Sequence, residues 1–184
     1  DTSAGKKGQA LVNDESFNKK VAKIAKRLGV PKADLLQIFA FETGATMDPA
    51  EVNGIGATGL IQFMPGKKGS AIALETTTKK LAKMSGTKQL DFVESYFKMQ
   101  LKSKKRKPKN LSDLYLLVLY PLAFDKKDDW VLGSQKGRTK YKLRWQTKKY
   151  KRGPRKGQTY KVPRFNANKK GKYLMTRVFA IQNS

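Results

Sequence analysis

The stretch PKADLLQIFAFETG, residues 31–44, constrains this chain more than any other. Leu35, Leu36, Ile38, Phe39 and Phe41 recur at helical spacing and leave almost no polar face. A helix of that kind is stable only when other elements cover most of its circumference. The chain must therefore build a core around it, and 184 residues suffice for one domain with a sizeable core. Pro31 suits the first helical position, where a missing N–H is no loss. Gly44 stops the helix. Glu42 then falls in the last turn of a buried helix, beside a break.

Other segments can supply the cover. Asn13 or Asp14 caps a helix whose Phe17, Val21, Ile24, Ala25 and Leu28 form one apolar stripe, and Gly29 ends it. TKQLDFVESYFKMQLKSKK is amphipathic, with Leu90, Val93, Phe97 and Leu101 on a stripe and Tyr96 beside it. KSKKRKPKN is a basic connector. LSDLYLLVLYPLAF is a second strongly apolar helix, ending near Pro121. Short helices are expected near 71–74 and 77–84. Residues 1–12 read as a flexible lead-in, and 44–69 as a glycine-rich loop. Residues 133–172 lack a helical period, and TKYKLRWQTKKYK alternates as a short strand does. A last short helix is expected from Tyr173, with Leu174, Val178 and Ile181 on its apolar face. The fold class is mainly α. One domain is expected over 13–184, with 130–172 a basic, partly irregular extension of that domain.

Composition narrows the chemistry. The chain has no cysteine and no histidine, so disulfides, thiolate or imidazole metal sites and a Ser-His-Asp triad are excluded. Acid–base work near neutral pH must fall to Glu, Asp, Lys or Tyr. No cofactor and no metal is expected. No apolar run is long enough for a transmembrane helix. The N-terminus lacks the apolar core of a signal peptide and begins without Met, which suggests a processed chain or a piece of a longer one. The formal net charge is +26, and no acid follows Asp129. Such a balance fits a solvated surface or an anionic partner: nucleic acid, an acidic envelope polymer or an anionic lipid surface.

Glu42 raises a specific question. Burial penalises the charged carboxylate and raises its pKa, and an acid still protonated near neutral pH can protonate a leaving-group oxygen. A glutamate at a helix end is also commonly a plain surface residue. Gly54, Gly56 and Gly59 then allow close approach of backbone to a ligand, and Gln62 offers a donor and an acceptor to sugar amides or hydroxyls. The same glycines can serve tight turns alone, with Leu60, Ile61, Phe63 and Met64 as core.

FETG followed by GATGLIQFMP resembles the first two motifs of lytic transglycosylases of the soluble, goose-lysozyme-like type. The family pattern is Glu-Ser/Thr-Gly, then Gly-Ala-x-Gly-Leu-Met/Ile-Gln-x-Met-Pro at this separation. TKQLDFVESYFK resembles the next helix in bacteriophage members. The resemblance covers roughly residues 16–124. It implies a lysozyme-like helical fold that cleaves the β-1,4 bond between N-acetylmuramic acid and N-acetylglucosamine in peptidoglycan. It implies that Glu42 is the catalytic acid/base and that Gly59, Leu60, Ile61 and Gln62 line the saccharide groove, their backbone and the Gln amide meeting the sugar N-acetyl groups. The third family motif centres on Ala-Tyr-Asn-Ala-Gly. Here LYPLAF stands in its place, so Tyr120 matches the Tyr while Pro121 replaces the Asn. A buried core aromatic is the other reading of Tyr120. The family reaction closes a 1,6-anhydro ring without water and needs no second carboxylate. A muramidase of the same fold remains open if Asp48 or Glu51 lies across the groove.

KYKLRWQTKKYKRGPRKGQTYKVPRF interleaves basic and aromatic residues, a mix that suits nucleic acid or anionic envelope polymers. With the enzyme motif, envelope polymers are the favoured partner and non-specific nucleic acid the second. FNANKKGKYLMT has the outline of a calcium loop, but Asn166, Asn168, Lys170 and Arg177 stand where carboxylates are needed, so no calcium is expected. The resemblance to phage members implies a virion protein or released lysin acting on the bacterial cell wall in the periplasm.

Overall fold

The computed structural model describes residues 3–125 and, as backbone alone, 143–149 and 159–165. The protein is mainly helical. It divides into two compact units, Asp1–Leu119 and Tyr120–Ser184. The division falls at Tyr120, just before Pro121 breaks the apolar helix.

In the first unit, α2 (Glu15–Leu28) follows the expected signals. Its cap is Asp14, whose Oδ1 accepts from the Phe17 N–H at 2.8 Å. Gly29 ends it in the left-handed region at φ 79° and donates its N–H to the Ala25 carbonyl. The apolar helix is α3 (Lys32–Glu42). Pro31 precedes it as the cap residue, one place earlier than the sequence suggested. The Ser85 hydroxyl caps α6 (Gly86–Leu101), and α7 (Leu111–Leu119) follows the basic connector.

As its composition demands, α3 is covered by α2 on one side and α7 on another, while α2 also packs on α6. Phe17 meets Phe39 at 6.3 Å between ring centroids, and Phe41 meets Tyr115 edge-on at 4.9 Å. Val21, Ile24, Leu35, Ile38, Leu90, Val93, Phe97 and Leu114 are buried around these rings. Each such side chain contributes about 1.5–3 kcal/mol relative to exposure. Arg27 donates through Nε and Nη2 to both Glu94 oxygens at 2.7 Å, joining the outer faces of α2 and α6.

Residues 3–12 correct the sequence reading. The expected flexible lead-in is the greater part of a helix, α1 (Ser3–Asn13), which packs on α2. Its own signal is weak, and docking is what holds it. Gly8 lies so close to the Thr46 carbonyl that a Cβ there would overlap it, and Leu11 reaches to within 2.6 Å of where a Gly86 Cβ would stand. Between α3 and α6 the chain forms two isolated antiparallel bridges, Val52 with Thr58 and Thr58 with Phe63, then α4 (Ser70–Ala73) and α5 (Thr78–Ala82) close to the expected places.

The second unit opens with a 3-10 turn, Pro121–Ala123. Its strands β1 (Leu143–Lys149) and β2 (Thr159–Phe165) pair antiparallel, with Leu143 opposite Phe165 and Lys149 opposite Thr159. The alternation in the basic segment thus does give a strand. The helix expected from Tyr173, the calcium-like loop beyond Phe165 and the rest of the basic extension lie outside the described residues. Among the described residues, no helix is long and apolar enough to cross a membrane.

Candidate active site

Immediately after Glu42 the chain reverses. The Ala45 N–H donates back to the Ala40 carbonyl at 2.6 Å, with Gly44 at φ 60° and Ala45 at φ 69°. The Thr43 hydroxyl donates to the Phe39 carbonyl at 2.7 Å and accepts from the Met47 N–H at 2.9 Å, which fixes the reversal from within. Met47 and Gln62 are also left-handed, both at φ 54°. Non-glycine residues rarely adopt that conformation, and here three of them fall in the two segments that carry the candidate motifs.

The Glu42 side chain is largely but not wholly buried. Among the described residues it has neither a hydrogen-bond partner nor an ion pair. Burial alone raises its pKa from the ordinary 4.5 to about 7. A lysine close by would hold the carboxyl down. Among the described residues no positive charge acts on it.

The turn at 58–63 is built mostly from its own polar groups. Gly59, at φ 89°, donates its N–H to the Glu51 carbonyl at 2.8 Å. The Leu60 N–H donates to Gln89 Oε1 at 2.7 Å. Gln62 Nε2 donates to the Gly59 carbonyl at 3.1 Å and the Glu51 carbonyl at 3.3 Å. Both partners are acceptors, so the amide has one orientation and Oε1 is the atom left over. That oxygen is buried without a partner. Leu60 and Ile61 turn their side chains into the core, at 0% and 2% exposure, and the Leu60 N–H is already taken. Of the four groove residues expected from the sequence, Gln62 carries a buried side-chain oxygen without a partner.

Tyr96 links the two motifs. Its ring stands edge-on to Phe63 at 6.3 Å between centroids, and its hydroxyl donates to the Leu117 carbonyl at 2.8 Å. Burial raises its pKa above the ordinary phenol range, and the charge of Glu42 adds to this. Phe63, at the end of the Gly59 turn, thus packs against a buried phenol that feels the charge of Glu42. Tyr120 belongs to the second unit, where its carbonyl accepts from the Ala123 N–H in the 3-10 turn.

The two acids that follow Glu42 in the loop are engaged locally. Asp48 Oδ1 accepts from the Ala50 N–H at 2.8 Å, and Glu51 Oε2 accepts from the Thr46 hydroxyl at 3.1 Å. No group of three acidic residues able to hold a metal occurs among the described residues. A hollow of about 450 Å³ lies further along the loop, lined by Pro65, Lys67, Ile72 and Thr77 among others, and by none of the expected site residues.

No protein-family model, no curated protein and no solved structure matches this chain. The chemistry of the site therefore rests on its own geometry.

Two residues of that geometry escaped the sequence reading. Gln89 is wholly buried and bonded to the Gly59 turn, and Tyr96 feels the charge of Glu42. A signal for Gln89 exists in hindsight. It lies four and eight residues before Val93 and Phe97, on their apolar stripe, and a polar residue there must find internal partners.

Proposed function

We propose that this protein cleaves the glycan strands of peptidoglycan between N-acetylmuramic acid and N-acetylglucosamine, as a lytic transglycosylase with a lysozyme-like fold. The observation that carries the reading is a single partly buried carboxyl, Glu42, whose pKa is raised to about 7 by burial alone. Such a group is protonated often enough to act as an acid and ionised often enough to act as a base. Glu42 gives its proton to the glycosidic oxygen as the C1–O bond breaks. The substrate's own acetamido group stabilises the oxocarbenium-like centre. The Glu42 carboxylate then takes the proton of the C6 hydroxyl, and that oxygen closes on C1. The products are a 1,6-anhydromuramoyl end and a free N-acetylglucosamine 4-hydroxyl, with no water consumed.

Gln62 supports the same reading. Its unpartnered Oε1 is an acceptor suited to the N–H of a sugar N-acetyl group. A hydrolytic muramidase would need Asp48 or Glu51 as its second carboxylate, and each accepts a local hydrogen bond on one oxygen. The basic C-terminal region would add salt-dependent attraction to anionic envelope polymers, and to nucleic acid non-specifically. The setting we propose is a phage virion or released lysin acting on the cell wall.

The test is a digest of purified peptidoglycan with the wild type and with Glu42→Gln, read by mass spectrometry. Muropeptides one water lighter than hydrolytic products, lost in Glu42→Gln, support the proposal. Products with free reducing ends make the enzyme a muramidase. No cutting by the wild type, with a DNA gel shift that persists over a salt series, would make polyanion binding the function.

A further inference from the structure

The Gly59 turn is held by a residue from another helix. Gln89, on α6, is fully buried at 0% exposure. Its Oε1 accepts from the Leu60 N–H at 2.7 Å. Its Nε2 donates to the Pro49 carbonyl at 2.8 Å and to the Leu81 carbonyl at 3.1 Å. One amide thus joins the loop after Glu42, the turn before Gln62 and α5. Its donors and its acceptor are both in use, so no other side chain of this size replaces it. Gly59 shows how tightly the amide fits: a Cβ there would stand 2.5 Å from Gln89 Oε1.

Gln62 depends on this clamp. It sits in the left-handed region at φ 54°, a conformation a free turn would relax. Its N–H and its Nε2 both donate to the carbonyl of Gly59, the residue that packs on Gln89. Freeing Leu60 from α6 would free Gly59, and with it the direction of Gln62 Oε1.

We propose that Gln89 is a positioning residue: its buried amide clamps the Gly59 turn and so aims Gln62 Oε1 at the saccharide N-acetyl group. The role in recognition rests on the proposed function, while the clamp itself can be read without it.

The test uses the full chain with Gln89→Met, Gln62→Ala and the double variant. Gln89→Glu is added because it keeps the size and the acceptor for Leu60. Two quantities are measured: backbone amide hydrogen exchange, and affinity for tri-N-acetylchitotriose by calorimetry. Gln89→Met should speed exchange at Leu60 and Gln62 by about tenfold or more while Val21 and Ile24 stay protected. It should weaken trisaccharide binding by about tenfold, as should Gln62→Ala. The double variant should bind no more weakly than Gln62→Ala, because both changes remove the same contact. Unchanged exchange at Leu60, or losses that multiply in the double variant, would overturn the proposal. If Gln89→Met also loses protection in α2, Gln89→Glu decides: it keeps the acceptor for Leu60, so protection at Leu60 and trisaccharide affinity should return towards the wild type, and their loss in Gln89→Glu as in Gln89→Met would overturn the proposal. A wild type that neither binds the trisaccharide nor cuts peptidoglycan sinks the proposed function and the recognition role with it. The exchange data then still report whether the clamp exists.

Discussion

Replacing Glu42 by glutamine should stabilise the protein at pH 8 and leave it nearly unchanged at pH 4. The reason is the burial that raises the Glu42 pKa from 4.5 to about 7. Below pH 4.5 the carboxyl is protonated in folded and unfolded chains alike, and burial carries no charge penalty. Between 4.5 and about 7 the unfolded chain releases its proton while the folded chain keeps it, so stability falls as pH rises. Above about 7 the folded chain carries the buried charge and the penalty is complete. At about 1.4 kcal/mol per pH unit, the penalty comes to about 3 kcal/mol. Glutamine has the same shape and no charge, so it escapes that loss. Urea denaturation of both proteins at unit steps from pH 4 to pH 8 measures it, since the other titrating groups cancel in the difference. The gap should open from near zero to about 3 kcal/mol, on the order of 10 °C in melting temperature for a unit of this size. A gap that stays flat with pH would show that Glu42 is not desolvated, and the mechanism built on it would fall.

The same value sets the activity profile: peptidoglycan cleavage should decline about tenfold per pH unit above pH 7, as the acid form of Glu42 disappears, in a turbidity assay at constant ionic strength. Gly59→Ala should lower unfolding free energy by about 1–3 kcal/mol, because φ 89° and the Gln89 amide both oppose a Cβ, and denaturant titration would reveal it. Gly8→Val should undock α1 from the Thr46 carbonyl, seen as earlier cleavage near the N-terminus in limited proteolysis with the core intact. Asp113→Ala should cost about 2–4 kcal/mol in urea denaturation, because one buried carboxylate accepts from both Arg106 guanidinium nitrogens and from the Lys109 N–H.

The sequence made visible whatever depends on local chemistry. Asp14 and Gly29 delimit α2 because a side-chain oxygen and a left-handed glycine are local solutions to the unpaired groups at helix ends. Glu42 was legible for the same reason, since its burial follows from the apolar helix that carries it. The unread features depend on contacts distant in sequence. Nothing within residues 3–12 says that Gly8 meets the Thr46 carbonyl, so the helix looked like a loose lead-in. Leu60 and Ile61 were open to two readings, groove backbone and core side chain; their side chains do turn into the core, and a tight turn has two sides, so spacing does not say which is wet. Gln89 could be noticed as a polar residue on an apolar stripe, but its partners, Pro49, Leu60 and Leu81, come together only in the fold.

That no charged group among the described residues shifts the Glu42 pKa has the most bearing on the proposed reaction. One residue must give a proton in the first step and take one in the second, so its pKa has to lie near the ambient pH. A lysine beside it would stabilise the carboxylate and leave a poor acid. A second carboxylate coupled to it would split the two pKa values and divide acid and base between two residues, as an inverting hydrolase does. Burial without a charged neighbour is the arrangement that leaves one group able to do both. In a chain of net charge +26 that arrangement requires the cations to be kept elsewhere. Among the described residues, Lys67, Lys68, Lys79, Lys80, Lys83 and Lys88 are all exposed and none acts on Glu42. Long-range attraction to an anionic wall and a neutral-range acid can then coexist, because screening by solvent weakens the surface charges over distances at which burial still acts on Glu42.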